Sequence, residues 1–307
     1  MPRIILRVRA RADTAYDLDY QAPLRARIYG ALEGTEYGHR HDTADPPGFV
    51  TSSIMPFGDL EEGETRTLII SAAERDLLQY VITDLGANRE LDLGELPLEV
   101  DRAWIKDVDV GGPGCAGTIQ TRTGVLVSIP PWDFEHYGIE ADVRNPEQPE
   151  FWRPWIGTHV LRERIERNLA WKYDLFLANE SGEAATGTES ESKSEGKGIA
   201  PDGGSSEEGD IDTSKSAARG LALDGPLFDS IEPFDEPTYI TDLTVTRSPD
   251  RTQTLVLSKH DFRYRVRNDR HRSLLNLALD VGIGARNPLG LGFLDLVDTD
   301  GRNNAGS

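Results

Sequence analysis

The stretch from Val281 to Phe293, VGIGARNPLGLGF, holds four glycines at regular offsets. Gly282 and Gly284 flank Ile283, Gly290 and Gly292 flank Leu291, and five residues separate the two pairs. Glycine tolerates positive φ and has no Cβ to obstruct a close approach, so such a loop can bring backbone N–H groups up to an anion. Phosphate is the ligand this chemistry suits best. A helix C-cap with a tight turn would need only one or two of these glycines. The residues before the loop, Leu274, Leu275, Leu277, Ala278, Leu279 and Val281, have helical apolar spacing, and Leu291, Phe293, Leu294 and Leu296 after it read as a strand. The order helix, loop, strand is the reverse of a dinucleotide-binding or P-loop fingerprint, and no Lys-Ser/Thr follows the glycines, so a nucleotide cofactor is disfavoured.

Groups able to move protons lie near the other end of the chain. Tyr29 falls in a helical segment that Gly34 closes, and the breaker-rich GTEYGHRHDTADPPG from Gly34 to Gly48 carries His39 and His41. A histidine titrating near neutrality can accept or donate a proton, worth roughly 10²–10⁴ in rate for each positioned group. By residue type alone, either histidine equally suits an exposed loop. The six histidines show no His-Glu-x-x-His pattern or carboxylate-rich ligand spacing, so no metal site and no cofactor are expected. No Gly-x-Ser-x-Gly elbow is present either, which disfavours a serine hydrolase. A third constellation, KHDFRYRVRNDRHR from Lys259 to Arg272, interleaves Phe262 and Tyr264 with Arg263, Arg265, Arg267, Arg270 and Arg272. Its arginines suit phosphate, while its aromatics are as well placed to stack bases as to pack inward.

The glycine loop resembles the C-terminal signature of the CRISPR-associated endoribonucleases that cut precursor CRISPR RNA, the Cas six family. That pattern is Gly-apolar-Gly, five residues with a basic one among them, then Gly-apolar-Gly, and Arg286 supplies the basic residue. The resemblance implies RNA binding by Gly282, Gly284, Arg286, Gly290 and Gly292, and the arginine cluster adds Arg263, Arg265 and Arg267 to the expected contacts. It also implies an active centre formed by a Tyr in the first helix and a His just beyond it, which fall at Tyr29 and His41, with His39 the nearby rival. The implied reaction is metal-independent attack of the RNA's own 2′-OH, with histidine as general acid/base. It leaves a 2′,3′-cyclic phosphate or its opened form upstream and a 5′-hydroxyl downstream. The family's third residue, a Lys shortly after the His, is missing, since Asp42 to Gly48 contains no basic residue and Arg40 is the nearest cation. The implied partners are CRISPR repeat RNA and other subunits of a type I interference complex. A non-catalytic RNA-binding subunit of such a complex is the alternative.

The formal net charge of −20 would ordinarily argue against a nucleic-acid partner. Yet only six of the 33 basic residues are lysine, which leaves 27 arginines. An acidic, lysine-poor chain fits a salt-loaded cytoplasm, where surface carboxylates keep the protein hydrated and salt screens their repulsion. A halophilic archaeon is the implied source. One cysteine, Cys115, excludes a disulfide framework within the chain. The opening residues are no signal peptide and no apolar run approaches a membrane span, so a cytoplasmic protein without a membrane partner is expected.

The elements that must position these groups follow from periodicity. Ile4, Leu6, Val8 and Ala10 alternate with arginines in an opening strand, and a helix from Leu24 to Leu32 follows. Phe49–Phe57 and Thr65–Ala72 read as a strand pair, Glu74–Leu85 as a helix and Leu96–Val110 as one or two strands. In the second half, Thr118–Gln120 and Val125–Ile129 read as strands around a Thr123-Gly124 turn, and Phe151–Leu177 as one long amphipathic helix. Tyr239–Arg247 and Thr254–Arg267 read as strands, His271–Val281 as a helix and Gly290–Val297 as the closing strand. Asn179–Ala222 has ten acidic and four basic residues and hardly any large apolar ones, so it reads as a disordered surface insertion.

The expected fold is therefore α+β: two tandem ferredoxin-like β-α-β-β-α-β domains, 1–112 and 113–297, with the insertion at 179–222 and a tail at 298–307.

Overall fold

The computed structural model describes residues 2–16, 18–41, 46–140, 148–178, 225–244 and 252–297; for His41, for 235–244 and for several neighbouring positions it describes the backbone alone. The insertion and the tail read from the sequence lie outside the described residues.

The first unit runs β1 (Pro2–Ala10), α1 (Gln21–Leu32), β2 (Phe49–Thr51), β3 (Thr65–Ala72), α2 (Arg75–Ala87), β4 (Glu90–Leu93) and β5 (Leu96–Asp107). Its antiparallel sheet has the order β2-β3-β1-β5-β4, with Ile4 opposite Ile70 and Ile105 on its two neighbours. Alternation along β1 sends Ile4, Leu6 and Val8 into a core completed by Leu24, Ile28 and Leu32 of α1 and Leu77, Leu78, Val81 and Leu85 of α2. Arg7 and Arg9 of β1 pair with Asp101, and Arg11, just past its end, pairs with Asp92. The arginines that alternate with the apolar residues are thereby matched by carboxylates.

The second unit runs β6 (Ala116–Thr121), β7 (Ser128–Ile129), α3 (Phe134–Tyr137), β8 (Glu150–Phe151), α4 (Thr158–Tyr173), β9 (Ser230–Thr244), β10 (Thr252–Arg265), α5 (Asp269–Val281) and β11 (Leu294–Val297). Its main sheet has the order β11-β6-β10-β9. With β6, β9, β10 and β11 standing for the first unit's β1, β2, β3 and β5, the two orders are the same. Both are ferredoxin-like, and β4 is an added edge strand. Leu161, Ile165 and Leu169 of α4 and Leu274, Leu275, Ala278 and Leu279 of α5 pack on Ile119, Phe262 and Tyr264 of this sheet.

The structure corrects the sequence reading at several elements. Val125–Ile129 forms no hairpin with β6, because β10 and β11 already occupy both edges of β6. Val125 instead bridges Ser258, and Leu126 bridges Ala285 of the glycine loop. The long helix begins at Thr158 rather than Phe151. Arg153 precedes a proline and is extended, and Gly157 sits at φ 95°, outside helical range. After Tyr173 it ends in a π-helical turn, Asp174–Ala178. The second strand of this unit starts at Ser230, ahead of the expected Tyr239, and the closing strand only at Leu294, because the residues before it belong to the loop.

One buried arginine ties the two units together. Arg3 of β1, only 2% exposed, donates to the backbone oxygens of Leu279 and Leu294 at 3.0 and 2.9 Å and to Asp295 at 2.9 Å. Burial lowers its pKa, while Asp295 and Asp280 favour the charged form. The same junction brings the glycine loop against β2 and the start of α1. No helix among the described residues is long and apolar enough to cross a membrane.

Candidate active site between the glycine loop and the first helix

All four pattern glycines adopt positive φ, between 71° and 73°. The conformation alone thus calls for glycine, and so does the surrounding space. A Cβ on Gly292 would lie 1.9 Å from the Ile283 oxygen, one on Gly284 2.4 Å from the Leu126 oxygen, and one on Gly282 2.8 Å from the Gly292 oxygen. Gly290 differs: its Cβ would meet the Gln21 side chain of α1, at 2.5 Å. Arg286 also has positive φ, at 58°, and leads into a 3-10 turn, Asn287–Leu289.

The loop is held from within. Ile283 N donates to Gly292 O, Gly292 N to Gly124 O, Ala285 N to Leu126 O and Gly290 N to Asn287 O. Two of the four glycine N–H groups are therefore donated inside the protein. The Asn287 amide donates to the oxygens of Ile283 and Leu291, at 3.0 and 2.9 Å. Behind it lies Lys172 of α4, 1% exposed, whose Nζ donates to Gly282 O at 3.0 Å, Gly284 O at 3.2 Å and Asn287 Oδ1 at 2.7 Å. Burial pulls this ammonium down to about 7.

Sequence reasoning passed over Lys172, although a signal was there. Leu161, Ile165, Leu169 and Lys172 follow one another at helical spacing, so a lysine occupies the buried stripe of α4.

The loop reaches the first unit where α1 begins. Gln21, the first residue of α1, is buried against Gly290, and its Nε2 donates to the Tyr20 hydroxyl at 3.0 Å. Tyr29 lies on the same helix eight residues on, about 12 Å along its axis at ~1.5 Å per residue. It follows the buried Ile28, so it sits at the rim of the core, half-buried, with its ring edge-on to Phe49 at 5.6 Å.

The histidines come next in a 3-10 turn, Gly38–His41. His39 is exposed, while the side chain of His41 lies outside the described residues. Between them Arg40 turns inward. Its guanidinium grips both carboxylate oxygens of Glu74 at 2.5 and 2.9 Å, donates to Pro47 O at 3.3 Å and stacks over Tyr37 and Phe176. The cation nearest His41 in sequence is thus engaged with the residue that precedes α2. Phe176 lies four residues after Lys172, in the π-helical turn, so the end of α4 supports both the glycine loop and the histidine turn.

The arginine-rich segment is not part of this junction in the same way. Ser258 of β10 lies near the loop through Val125, but Arg265 is seven residues further, about 23 Å at ~3.3 Å per residue. Phe262 and Tyr264 are buried in the second core, and the Tyr264 hydroxyl donates to Val110 O. Arg263 pairs with Glu232 and Arg267 with Asp229, while Arg265 is exposed.

Two further histidines are structural. His271 accepts from Arg267 N at Nδ1 and meets Leu227 O at Nε2, and burial lowers its pKa. His260 is fully buried beside Trp152, and burial lowers it to about 4. Among the described residues no group of three His, Cys, Asp or Glu is arranged to hold a metal ion.

No protein-family model matches the chain. The CRISPR-associated endoribonuclease Cas6 of Haloferax mediterranei is 36% identical over 296 residues, 96% of this chain and 94% of that protein. The CRISPR-associated endoribonuclease Cas6 2 of Methanocaldococcus jannaschii is 25% identical over 108 residues, 35% of this chain and 45% of that protein. Among solved structures, a CRISPR-associated protein Cas6 superposes with a TM-score of 0.60 at 13% identity, covering 97% of this chain and 99% of its own. A RAMP protein that binds different RNA substrates gives 0.59 at 15% identity, over 97% and 100%. Those two structures share the tandem fold seen here, while the Haloferax relative matches the sequence over nearly its whole length. The chain belongs to the Cas6 family of CRISPR-associated endoribonucleases.

Proposed function

We propose that this protein cuts CRISPR repeat RNA within precursor transcripts to release guide RNAs, without a metal ion. The observation that carries the reading is the placement of the four-glycine loop against the start of α1, the helix that bears Tyr29. The RNA lies along the loop and engages Gly282, Gly284, Arg286, Gly290 and Gly292, with Arg263, Arg265 and Arg267 gripping the backbone further away.

RNA carries its own nucleophile. The 2′-OH beside the scissile phosphate loses its proton to a base and attacks phosphorus in line. The bond to the 5′-oxygen breaks, and that oxygen takes a proton from an acid. The products are a 2′,3′-cyclic phosphate and a 5′-hydroxyl. His41 fills the acid/base role and Tyr29 assists from α1, each proton transfer contributing roughly 10²–10⁴ in rate. Support for the activity comes from the Haloferax relative, which is named an endoribonuclease, and from a solved Cas6 product complex with a TM-score of 0.53. Retention of the product for a type I interference complex belongs to the same proposal.

A non-catalytic RNA-binding subunit is the second reading. It is favoured by the engagement of Arg40 with Glu74, together with the lack of any basic residue from Asp42 to Gly48. Incubation of the purified protein with repeat RNA in EDTA, followed by mapping of the ends, separates the two. Cyclic-phosphate and 5′-hydroxyl ends at one position are expected, and a single 2′-deoxy substitution there should abolish cleavage. Intact RNA, bound but uncut, would favour the second reading.

A further inference from the structure

Lys172 has no part in the reaction written above, yet its side chain is among the most enclosed charged groups described. Its ammonium reaches three oxygens of the glycine loop, one on each side of Ile283 and one on Asn287. Asn287 then passes the constraint on to Ile283 O and Leu291 O. One ammonium and one amide thus hold the backbone oxygens of Gly282, Ile283, Gly284 and Leu291, which spans both Gly-apolar-Gly halves. These bonds add to the backbone bonds that already hold the loop, at glycines, which lose more conformational freedom on ordering than any other residue.

The direction of these bonds matters. In a trans peptide the N–H points opposite to the preceding carbonyl. Drawing Ile283 O onto Asn287 therefore turns the N–H of Gly284 away from Asn287. Charge matters as well. A buried cation is ordinarily paired with a carboxylate, but here the acceptors are two backbone carbonyls and one amide oxygen, all neutral, and no carboxylate pairs with Lys172 among the described residues. Its pKa drawn down to about 7 by burial, the protonated Lys172 places a positive charge directly behind the loop, and an approaching polyanion would favour that protonated form.

We propose that Lys172 is a positioning residue for RNA binding, which fixes the glycine loop in its binding conformation and charges it positively from behind. The proposal rests on the reading that this loop binds RNA. It makes Lys172 the support of the binding half of the site, leaving Tyr29 and His41 to the first unit.

The test is single-turnover and steady-state cleavage of repeat RNA by Lys172→Met, Lys172→Gln and Asn287→Ala, each assayed well below its own Tm. Lys172→Met keeps the length of the side chain while removing the charge and all three bonds. The RNA KM should rise at least ~10-fold, with kcat at saturating RNA within about 3-fold of wild type. Gln can donate to the carbonyls without a charge and should fall between. Asn287→Ala should raise KM in the same direction, and combining it with Lys172→Met should add less than the sum of the two. If Lys172→Met fails to fold, the Gln and Asn287 variants carry the same KM-against-kcat reading. An unchanged KM in folded variants, or a loss confined to kcat, overturns the proposal. Arg286→Ala serves as the control for the underlying reading. If it weakens RNA binding while Lys172→Met and Asn287→Ala do not, the proposal alone fails; if none of the three weakens it, the loop is not the RNA site.

Discussion

Arg40 lies with both terminal nitrogens on the carboxylate of Glu74, at 2.5 and 2.9 Å, between two histidines whose turn it closes by a bond to Pro47 O. A bidentate arginine–carboxylate pair fixes orientation as well as distance. The arrangement suits a strut better than a group that contacts the scissile phosphate.

The strut account predicts that Glu74→Ala and Arg40→Ala reduce cleavage to a similar degree, on the order of 10-fold or more, since misplacing a catalytic group by about 1 Å can cost ~10² in rate. Were Arg40 instead to stabilise charge at the phosphate, its loss would cost roughly 10²–10³, and Glu74→Ala far less. Rates for the two variants under single-turnover conditions decide between them.

The glycines make a prediction about stability. Every substitution there carries the left-handed strain of about 1–2 kcal/mol, but only at Gly290 are the nearest neighbours of the added Cβ all side-chain atoms, those of Gln21, with no backbone among them. Gly290→Ala should lower stability by little more than that strain, whereas Gly292→Ala, whose Cβ would strike Ile283 O, should cost well over 3 kcal/mol or prevent folding. Chemical denaturation of the two variants checks this, and equal losses would contradict it.

Asp280 supplies a pH prediction. Burial pushes its carboxyl up to about 8, and neither oxygen has a hydrogen-bond partner among the described residues, although Arg3 lies nearby. The folded state therefore holds a proton that the unfolded chain releases near the ordinary carboxylate value of ~4. Between about pH 4 and pH 8 the unfolded state binds fewer protons, so this group makes stability fall as pH rises. Asp280→Asn should flatten that fall, gaining most over wild type near pH 8 and least near pH 4. Stability curves measured by denaturation across this range test it; parallel curves for the two proteins would show that Asp280 is ionised when folded.

How much of this was legible in the sequence follows from which signals are local. Alternation in β1 and the 3.6-residue stripe of α5 appear at the expected places, and with them the repeated β-α-β-β-α-β order. The element that misled was Val125–Ile129. It reads as half of a hairpin, but a strand's partner depends on which edges remain open, and β6 has none. The glycine pattern marked the loop but not what holds it. Lys172 and Asn287 are 115 residues apart, and nothing local joins them. Arg7, Arg263 and Arg267 were visible as charge, whereas their partners Asp101, Glu232 and Asp229 became evident only once strands and loops were brought together.

The account stands most directly on His41. The decisive measurement is the single-turnover cleavage rate of repeat RNA by His41→Ala in EDTA, taken at protein concentrations that saturate binding, with His39→Ala in parallel. The account predicts that His41→Ala binds the RNA within about 3-fold of the wild-type Kd but cuts it at least ~10²-fold more slowly, while His39→Ala cuts normally. Full activity of His41→Ala, or its transfer of the defect to His39→Ala, would contradict the assignment of the proton-transfer group.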